Sequence, residues 1–379
     1  MKVADIVACL ETLAPPVLAE DWDNVGLLVG DLAGEVGRIM VCMDLTEPVL
    51  AEAIRAKAQM VLTHHPLIFK SVSRVTACEA PVVYDAVRHA VAVYAAHTNL
   101  DSAVGGTNDV LADVLQLDER RPLEPAVRQD LCKVVVFAPP ESVSAIAEAA
   151  FAAGAGRIGN YRDCAFFSHG IGSFYGLGST HPAVGKAGRH EVAEELRLEV
   201  VCPRGRAAAV RQAVRAAHPY EEPAIDVYVL EDIPAGCGLG RIGRLKRPAT
   251  VAAVIARLKK ATGARHVLLS VANGGGPQAG GGHKGDGKGL LVTSAACCSG
   301  AGGSAFRKAI AQGATFFVTG ELNYHDALDA AARGLTVVCL GHGYSERIAI
   351  ARLGQRLAEN LPKLTVVNSR KDQDPFVTA

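Results

Sequence analysis

VLTHHPLIF, residues 61–69, is the stretch from which the rest of the chain can be read. Val61 and Leu62 end an apolar, strand-like run, and two adjacent histidines, His64 and His65, follow before Pro66 breaks it. In a regular strand neighbouring side chains point to opposite faces, so an adjacent pair there could not face one ligand. Past the end of the strand that alternation relaxes. Both imidazoles can then enter the crevice beyond the carboxyl ends of the strands, where open α/β sheets hold their ligands.

Working outward, the same rhythm runs on both sides. RIMVCMDL (38–45) reads as a strand, TEPVLAEAIRAKA as a helix, MVLTHH as a strand, APVVYDAVRHA as a helix and VAVYAAHTNLD as a strand. It returns late in ATFFVTGE (314–321), HDALDAAARG, LTVVCLGH and the closing helix SERIAIARLGQRLAEN. Strands alternating with helices predict an α/β fold with mainly parallel sheets. Residues 131–231 differ, giving two strand-helix units with extra strands, the order of a small ferredoxin-like α+β domain. The expected architecture is a two-lobed α/β core, with lobe 1 over residues 1–128 and lobe 2 over 233–379, interrupted by an inserted ferredoxin-like domain over 129–232. Residues 273–289, NGGGPQAGGGHKGDGKG, read as a solvated glycine-rich loop, His283 and Asp286 included.

Composition narrows the function. With 379 residues, 49% of them hydrophobic, the chain can build more than one core. Lys plus Arg equals Asp plus Glu at 39 each, so no global field draws in nucleic acid or an anionic membrane. The N-terminal MKVADIVACLETL has the polar residues of an amphipathic helix rather than a signal peptide, which leads us to expect a cytoplasmic protein without membrane spans. Ten scattered cysteines with no C-x-x-C read as reduced, mostly buried thiols.

Four strand ends carry metal-capable side chains: His64 and His65; His97 and Asp101 in AHTNLD; Glu321 and His325 in TGELNYH; His342 and Glu346 in GHGYSE. Five of these residues, His64, His65, Asp101, His342 and Glu346, make a donor set larger than the three protein ligands of a single catalytic zinc. Such a set suits two divalent ions with a bridging carboxylate. Zinc is the default for three imidazoles and two carboxylates, with iron or manganese close behind. Ser345 is expected to cap the last helix and set Glu346 in its first turn. His97, Glu321 and His325 are the candidates for orienting ligands or moving protons during catalysis. SAACCSGAGGSAF (294–306) reads as a strand-to-helix turn or, alternatively, a phosphate cradle. EDWDNVGLLVG (20–30) sets the only Trp among several acids, where they could rim the crevice or simply face solvent.

THHPLIF, AHTNLDSA, WDNVGLLVG and GHGYSE resemble the dinuclear metal-binding family called Ngg-one-interacting-factor-three-like, whose bacterial members are often labelled GTP cyclohydrolase 1 type 2 homologues. Within the insert, GAGRIGNYRDCAF and HPYEEPAIDVY resemble the extra domain of its longer members, itself similar to trimeric signalling and divalent-cation-tolerance proteins. The resemblance implies two metals held by the same five residues, with His97 lining the site. It also implies a toroidal homohexamer whose sites face an internal cavity. The label implies a small-molecule nucleotide substrate, with water attacking C8 of GTP, the imidazole ring opening and formate leaving. The alternative is a non-catalytic metal-binding or regulatory assembly.

Overall fold

The computed structural model describes residues 1–126, 131–230, 236–273 and 289–376. The glycine-rich loop expected over 273–289, with His283 and Asp286, therefore falls almost wholly outside the described residues. The chain divides into two compact units, one made of Met1–Ala126 with Pro234–Ala379 and the other of Val127–Ile233.

Unit 1 contains two mixed sheets. The first comprises β1 (Gly26–Val29), β2 (Arg38–Cys42), β3 (Met60–Thr63), β4 (Ala92–Ala95) and β15 (Thr365–Asn368), in the order β1-β4-β3-β2-β15. All neighbours run parallel except β1, which pairs antiparallel with β4. β2, β3 and β4 read as short, unbroken apolar runs because their sheet is covered on both faces. One face packs α1 (Val3–Leu13) and the last helix, α11 (His342–Asn360), through Ile6, Leu10, Ile350, Leu353 and Leu357. The other face packs α2 (Glu47–Arg55) and α3 (Pro81–Arg88) through Val49, Leu50, Val83 and Ala86.

The second sheet has β5 (Leu117–Pro125), β10 (Gly238–Thr250), β11 (Leu268–Ser270), β12 (Leu291–Ala301), β13 (Phe316–Glu321) and β14 (Thr336–Cys339), in the order β11-β14-β13-β12-β10-β5. β12, β13 and β14 are parallel, whereas β10 pairs antiparallel with both β12 and β5, and β11 pairs antiparallel with β14. The expectation of mainly parallel sheets thus holds only at the centre of this sheet. The helices that would enforce parallel crossovers, α9 (Ala305–Ala311) and α10 (Tyr324–Ala332), lie only between β12, β13 and β14. α5 (Thr107–Leu115) and α8 (Val251–Thr262) cover one face around Leu111, Leu115, Val254 and Leu258. α11 lies against strands of both sheets, touching β2 and β15 on one side and β12 and β13 on the other.

Unit 2 runs β6 (Leu131–Ala138), α6 (Val143–Ala152), β7 (Phe166–Tyr175), β8 (His190–Pro203), α7 (Ala207–Ala217) and β9 (Ile225–Val229). Its sheet has the order β7-β8-β6-β9 and is antiparallel throughout. Val134, Val136, Leu198 and Val200 meet Ile146, Val210 and Val214 of the two helices in a separate core. All ten cysteines of the chain are free thiols. Among the described residues no helix is long and apolar enough to cross a membrane.

One buried ion pair ties the second sheet to the helix next to the future site. Arg241, 1% exposed, donates through Nε and Nη2 to the two carboxylate oxygens of Asp109, both at 2.8 Å, and its remaining hydrogens go to the carbonyls of Gly238, Gly240 and Ala103. With every donor satisfied, the pair holds α5 against β10; without Arg241 the buried Asp109 keeps only the partly exposed Arg120, whose Nε lies 3.2 Å from its Oδ1, and the N–H of Gly105. Arg241→Ala should therefore lower unfolding free energy by about 3–5 kcal/mol, read from the urea midpoint; a loss under about 1 kcal/mol would place the pair among screened surface bridges.

Candidate metal centre

The carboxyl ends of β3 and β4 in the first sheet, and of β13 and β14 in the second, deliver side chains to one place. His64 and His65 follow β3; the N–H of His64 is shared between the carbonyls of Cys42 and Met43 and that of His65 goes to Met43, so the strand ladder ends at His64, where the two imidazoles diverge. Their rings are 5.1 Å apart and tilted by 39°. Asp101 sits in α4 (Thr98–Ser102), one short turn after β4. His342 opens α11 directly after Gly341, whose φ of 92° is a left-handed conformation that glycine adopts without strain. Ser345 does not cap this helix. The helix begins three residues earlier, and the Ser345 hydroxyl donates to the carbonyl of His342 while accepting from the N–H of Gly300. Glu346 consequently points in from the second turn.

Glu346 is the hub. Its Oε1 lies 3.7 Å from His64 Nε2, while its Oε2 lies 3.3 Å from both His65 Nε2 and His342 Nε2. Asp101 Oδ1 approaches His64 Nε2 from the other side at 3.8 Å. Two sets of donors, His64 with Asp101 and Glu346, and His65 with His342 and Glu346, thus each have ligand atoms within 4.8 Å of one another and share one carboxylate. One ring nitrogen of His97 lies within the same distance of ring nitrogens of His64 and His65.

Each histidine is oriented from behind. His64 Nδ1 meets the carbonyl of Ala96 at 2.7 Å, His65 Nδ1 meets Asp44 Oδ1 at 2.7 Å, and His342 Nδ1 meets Glu321 Oε1 at 3.0 Å. In that arrangement the Nδ1 hydrogen is committed and Nε2 faces inward, which is how metal-binding imidazoles are held. No well-aligned hydrogen bond reaches the buried His64 Nε2 or Glu346 Oε2, although Oε2 lies 3.3 Å from two ring nitrogens. Buried polar atoms rarely go unsatisfied, so two such atoms facing one another's neighbours, within a histidine and carboxylate donor set, fit a divalent metal ion. Asp101 is steadied by the hydroxyl of Thr107, which in turn accepts from Ser299 at 2.9 Å.

Space is reserved for the shared carboxylate. A Cβ on Gly300 would come within 2.2 Å of Glu346 Oε1, and its φ of 63° also favours glycine. This assigns a role to the SGAGG turn. Its helix, α9, is seven residues long, so the turn makes room for a side chain, and nothing further marks it as a phosphate cradle.

Of the three candidates for ligand orientation or proton transfer, the structure brings two to the cluster. Glu321 orients His342, and His97 faces His64 and His65 with rings 5.2 and 5.5 Å away. His325 is not brought there; it is exposed in α10, its ring against Tyr324. Two further residues belong to the centre and were not singled out in the sequence. Asp44 follows β2 as the other carboxylates follow their strands, and that position was the available signal. Asp23, in the EDWDNVG stretch, has a fully buried side chain that bonds His97 Nδ1 at 2.8 Å and accepts the N–H of Thr98 at 3.1 Å.

The charges explain one another. Burial opposes a charge on His65, yet Asp44 and Glu346 outweigh it and lift its pKa to about 10. Glu346, assisted by Glu321 and opposed by burial, lifts His342 to about 9. Burial also opposes a charge on His64, but Glu346 and Asp101 raise it. Burial would raise Glu346 as well, but the three histidines hold it far below the usual carboxylate range. Asp101 is raised by burial. Asp23, despite its burial, is lowered to about 2 by His97 and Thr98.

In metal-free protein at neutral pH the imidazoles of His65 and His342 therefore carry protons that a metal must displace. Metal uptake at pH 7 should release protons, measurable by calorimetry in buffers of different ionisation enthalpy, and affinity should weaken as pH falls. Both folded values lie above the ordinary value of about 6.5. Their stabilisation of the metal-free fold is complete below that pH and fades as pH rises through 9 and 10. The melting temperature of metal-free protein should fall over that window; a flat profile would contradict the charge assignment.

A family model described as Duf34/NIF3 (NGG1p interacting factor 3) matches residues 1–375. The chain is 36% identical over 377 residues to a Bacillus subtilis (strain 168) protein named GTP cyclohydrolase 1 type 2 homolog, covering 98% of this chain and 97% of that one. A Mycobacterium tuberculosis (strain ATCC 25618 / H37Rv) protein of the same name is 36% identical over 350 residues, covering 91% and 88%. Among solved structures, a Bacillus cereus protein related to NIF3 superposes with a TM-score of 0.72 at 31% identity, covering 100% of this chain and 99% of that one.

Proposed function

The chain belongs to the Duf34/NIF3 (NGG1p interacting factor 3) family, and we propose that it is a dinuclear metal-dependent hydrolase acting on a purine nucleotide or related heterocycle. The observation that carries this reading is the division of Glu346 between two sets of donors, one oxygen toward His64 and the other toward His65 and His342. His64, Asp101 and Glu346 would hold one divalent ion, and His65, His342 and Glu346 the other, zinc being the first choice and iron or manganese the next. Bound ions of this kind supply hydroxide near neutral pH and draw electrons from the atom under attack.

The remaining work falls to side chains. His97 has its Nδ1 committed to Asp23, which fixes the tautomer and leaves Nε2 to accept a proton from water and return it to the leaving group. Asp23, held ionised, stabilises the imidazolium formed in between. Asp44 and Glu321 keep His65 and His342 from turning away. The His342 side chain is 38% exposed, so substrate can approach from its side of the centre while His64, at 0%, lies at the closed end. The names of the relatives support GTP as the nucleotide and a cyclohydrolase reaction on it.

Protein purified without a His tag should contain about two divalent ions per chain, and the metal-loaded form should release formate from GTP. Glu346→Gln should lose metal and turnover together. Turnover retained by metal-free protein would refute the hydrolase reading. Two ions without turnover on any nucleotide would favour a metal-binding regulatory assembly.

We read unit 2, with its β-α-β-β-α-β order, as a ferredoxin-like insert that assembles the chain with copies of itself into a toroidal homohexamer in the cytoplasm. Apolar Phe166, Ile171, Tyr175 and Val192 lie exposed along β7 and β8, surface that self-association would cover. Light scattering should return a mass of about six chains, and Ile171→Glu with Val192→Glu should reduce it; a monomeric parent would contradict the assembly.

A further inference from the structure

Trp22 is the only tryptophan in the chain, and it is 61% exposed; Phe69 beside it is 50% exposed. Neither belongs to a hydrophobic core. Exposed aromatic rings in contact with one another form apolar surface of the kind binding sites use. These two are also well fixed, edge to face, with centroids 6.0 Å apart and planes at 63°.

The backbone around them is strapped down on three sides. The Asn24 amide donates to the carbonyl of Ile68, joining the Trp22 loop to the residue before Phe69. The N–H of Glu20 donates to the Thr98 hydroxyl at 2.9 Å, and Asp23 accepts the N–H of Thr98 and bonds His97. The Trp22 ring consequently stands 6.2 Å from the ring of His97, at 76°, and His97 in turn faces His64 and His65. One rigid network thus positions both the proton-handling histidine and the aromatic wall beside it. The wall of the two rings stands beside His97, the histidine that faces the donor cluster.

We propose that Trp22 and Phe69 form an aromatic grip that holds the planar heterocyclic ring of the substrate beside His97 at the mouth of the metal centre. Every nucleobase offers a π-face for such a wall, whereas a phosphate or an acyclic ester offers none. The grip therefore selects ring-bearing substrates, and it sets the reacting ring, rather than the phosphate tail, nearest the histidines. This rests on the hydrolase reading for where the ring reacts, though ring binding itself can be measured without any reaction.

Because Trp22 is the sole tryptophan, its fluorescence reports on the grip directly. Full-length, metal-loaded protein is titrated with GTP, guanosine and inorganic triphosphate. GTP and guanosine should change the emission saturably and inorganic triphosphate should not. By calorimetry, Trp22→Ala should weaken guanosine binding about tenfold or more, Phe69→Ala by a smaller factor, and Trp22→Phe should restore most of it. Metal content and melting temperature should be unchanged in all three variants. An unsaturable response to guanosine, or equal guanosine affinity in Trp22→Ala, would overturn the proposal, as would a change of oligomeric mass in Trp22→Ala with guanosine affinity intact. Guanosine binding without formate release would keep the grip and remove the cyclohydrolase reaction. Formate release with an unchanged KM in Trp22→Ala would do the reverse.

Discussion

A single buried carboxylate sets the terms for unit 1. Glu346 is 4% exposed, and an ionised group in that position must be matched by opposite charge or coordination. The match comes from His64 and His65 of the first sheet and from His342, one turn before it on its own helix. Those partners arise from strands that belong to different sheets, so the centre exists only when both sheets lie against α11. The apolar residues Ile350, Leu353 and Leu357 of that helix bury against the first sheet. Gly300 of β12 clears the space the carboxylate occupies.

The second constraint is orientation. An imidazole offers two nitrogens, and only a committed Nδ1 makes Nε2 a dependable ligand or base. A carbonyl does this for His64, and the carboxylates of Asp44, Glu321 and Asp23 do it for His65, His342 and His97. The four histidines differ in burial. His64 lies at the closed end, His65 and His97 are partly open, and His342 is at the mouth. In the absence of metal, Asp44 and Glu346 hold a proton on His65, and Glu346 with Glu321 holds one on His342, so one set of charges keeps the pocket formed.

Much of this was legible in the sequence because strand ends are easy to find and histidines are rare. The α/β class followed from runs such as RIMVC and MVLT, and the resemblance of THHPLIF and GHGYSE pointed to the family to which the chain belongs. His64, His65, Asp101, His342 and Glu346 stand together as their strand-end positions suggested. The parallel expectation went too far because antiparallel strands such as β10 have the same apolar composition as parallel ones, and only pairing distinguishes them. Ser345 looked like a helix cap by residue type, but the chain enters the helix at a left-handed glycine, a conformation that composition does not reveal. Asp23 was one acid among several in EDWDNVG. Its pairing with His97 spans 74 positions, and no local pattern encodes that distance.

The account stands on two metal ions sharing Glu346, and X-ray absorption at the metal edge of the fully loaded protein tests that most directly. It predicts a metal–metal scattering path at roughly 3.5–4 Å, the separation of two-metal hydrolytic sites, which disappears in Glu346→Gln. A shell of nitrogen and oxygen donors with no metal neighbour, unchanged in that variant, would contradict it.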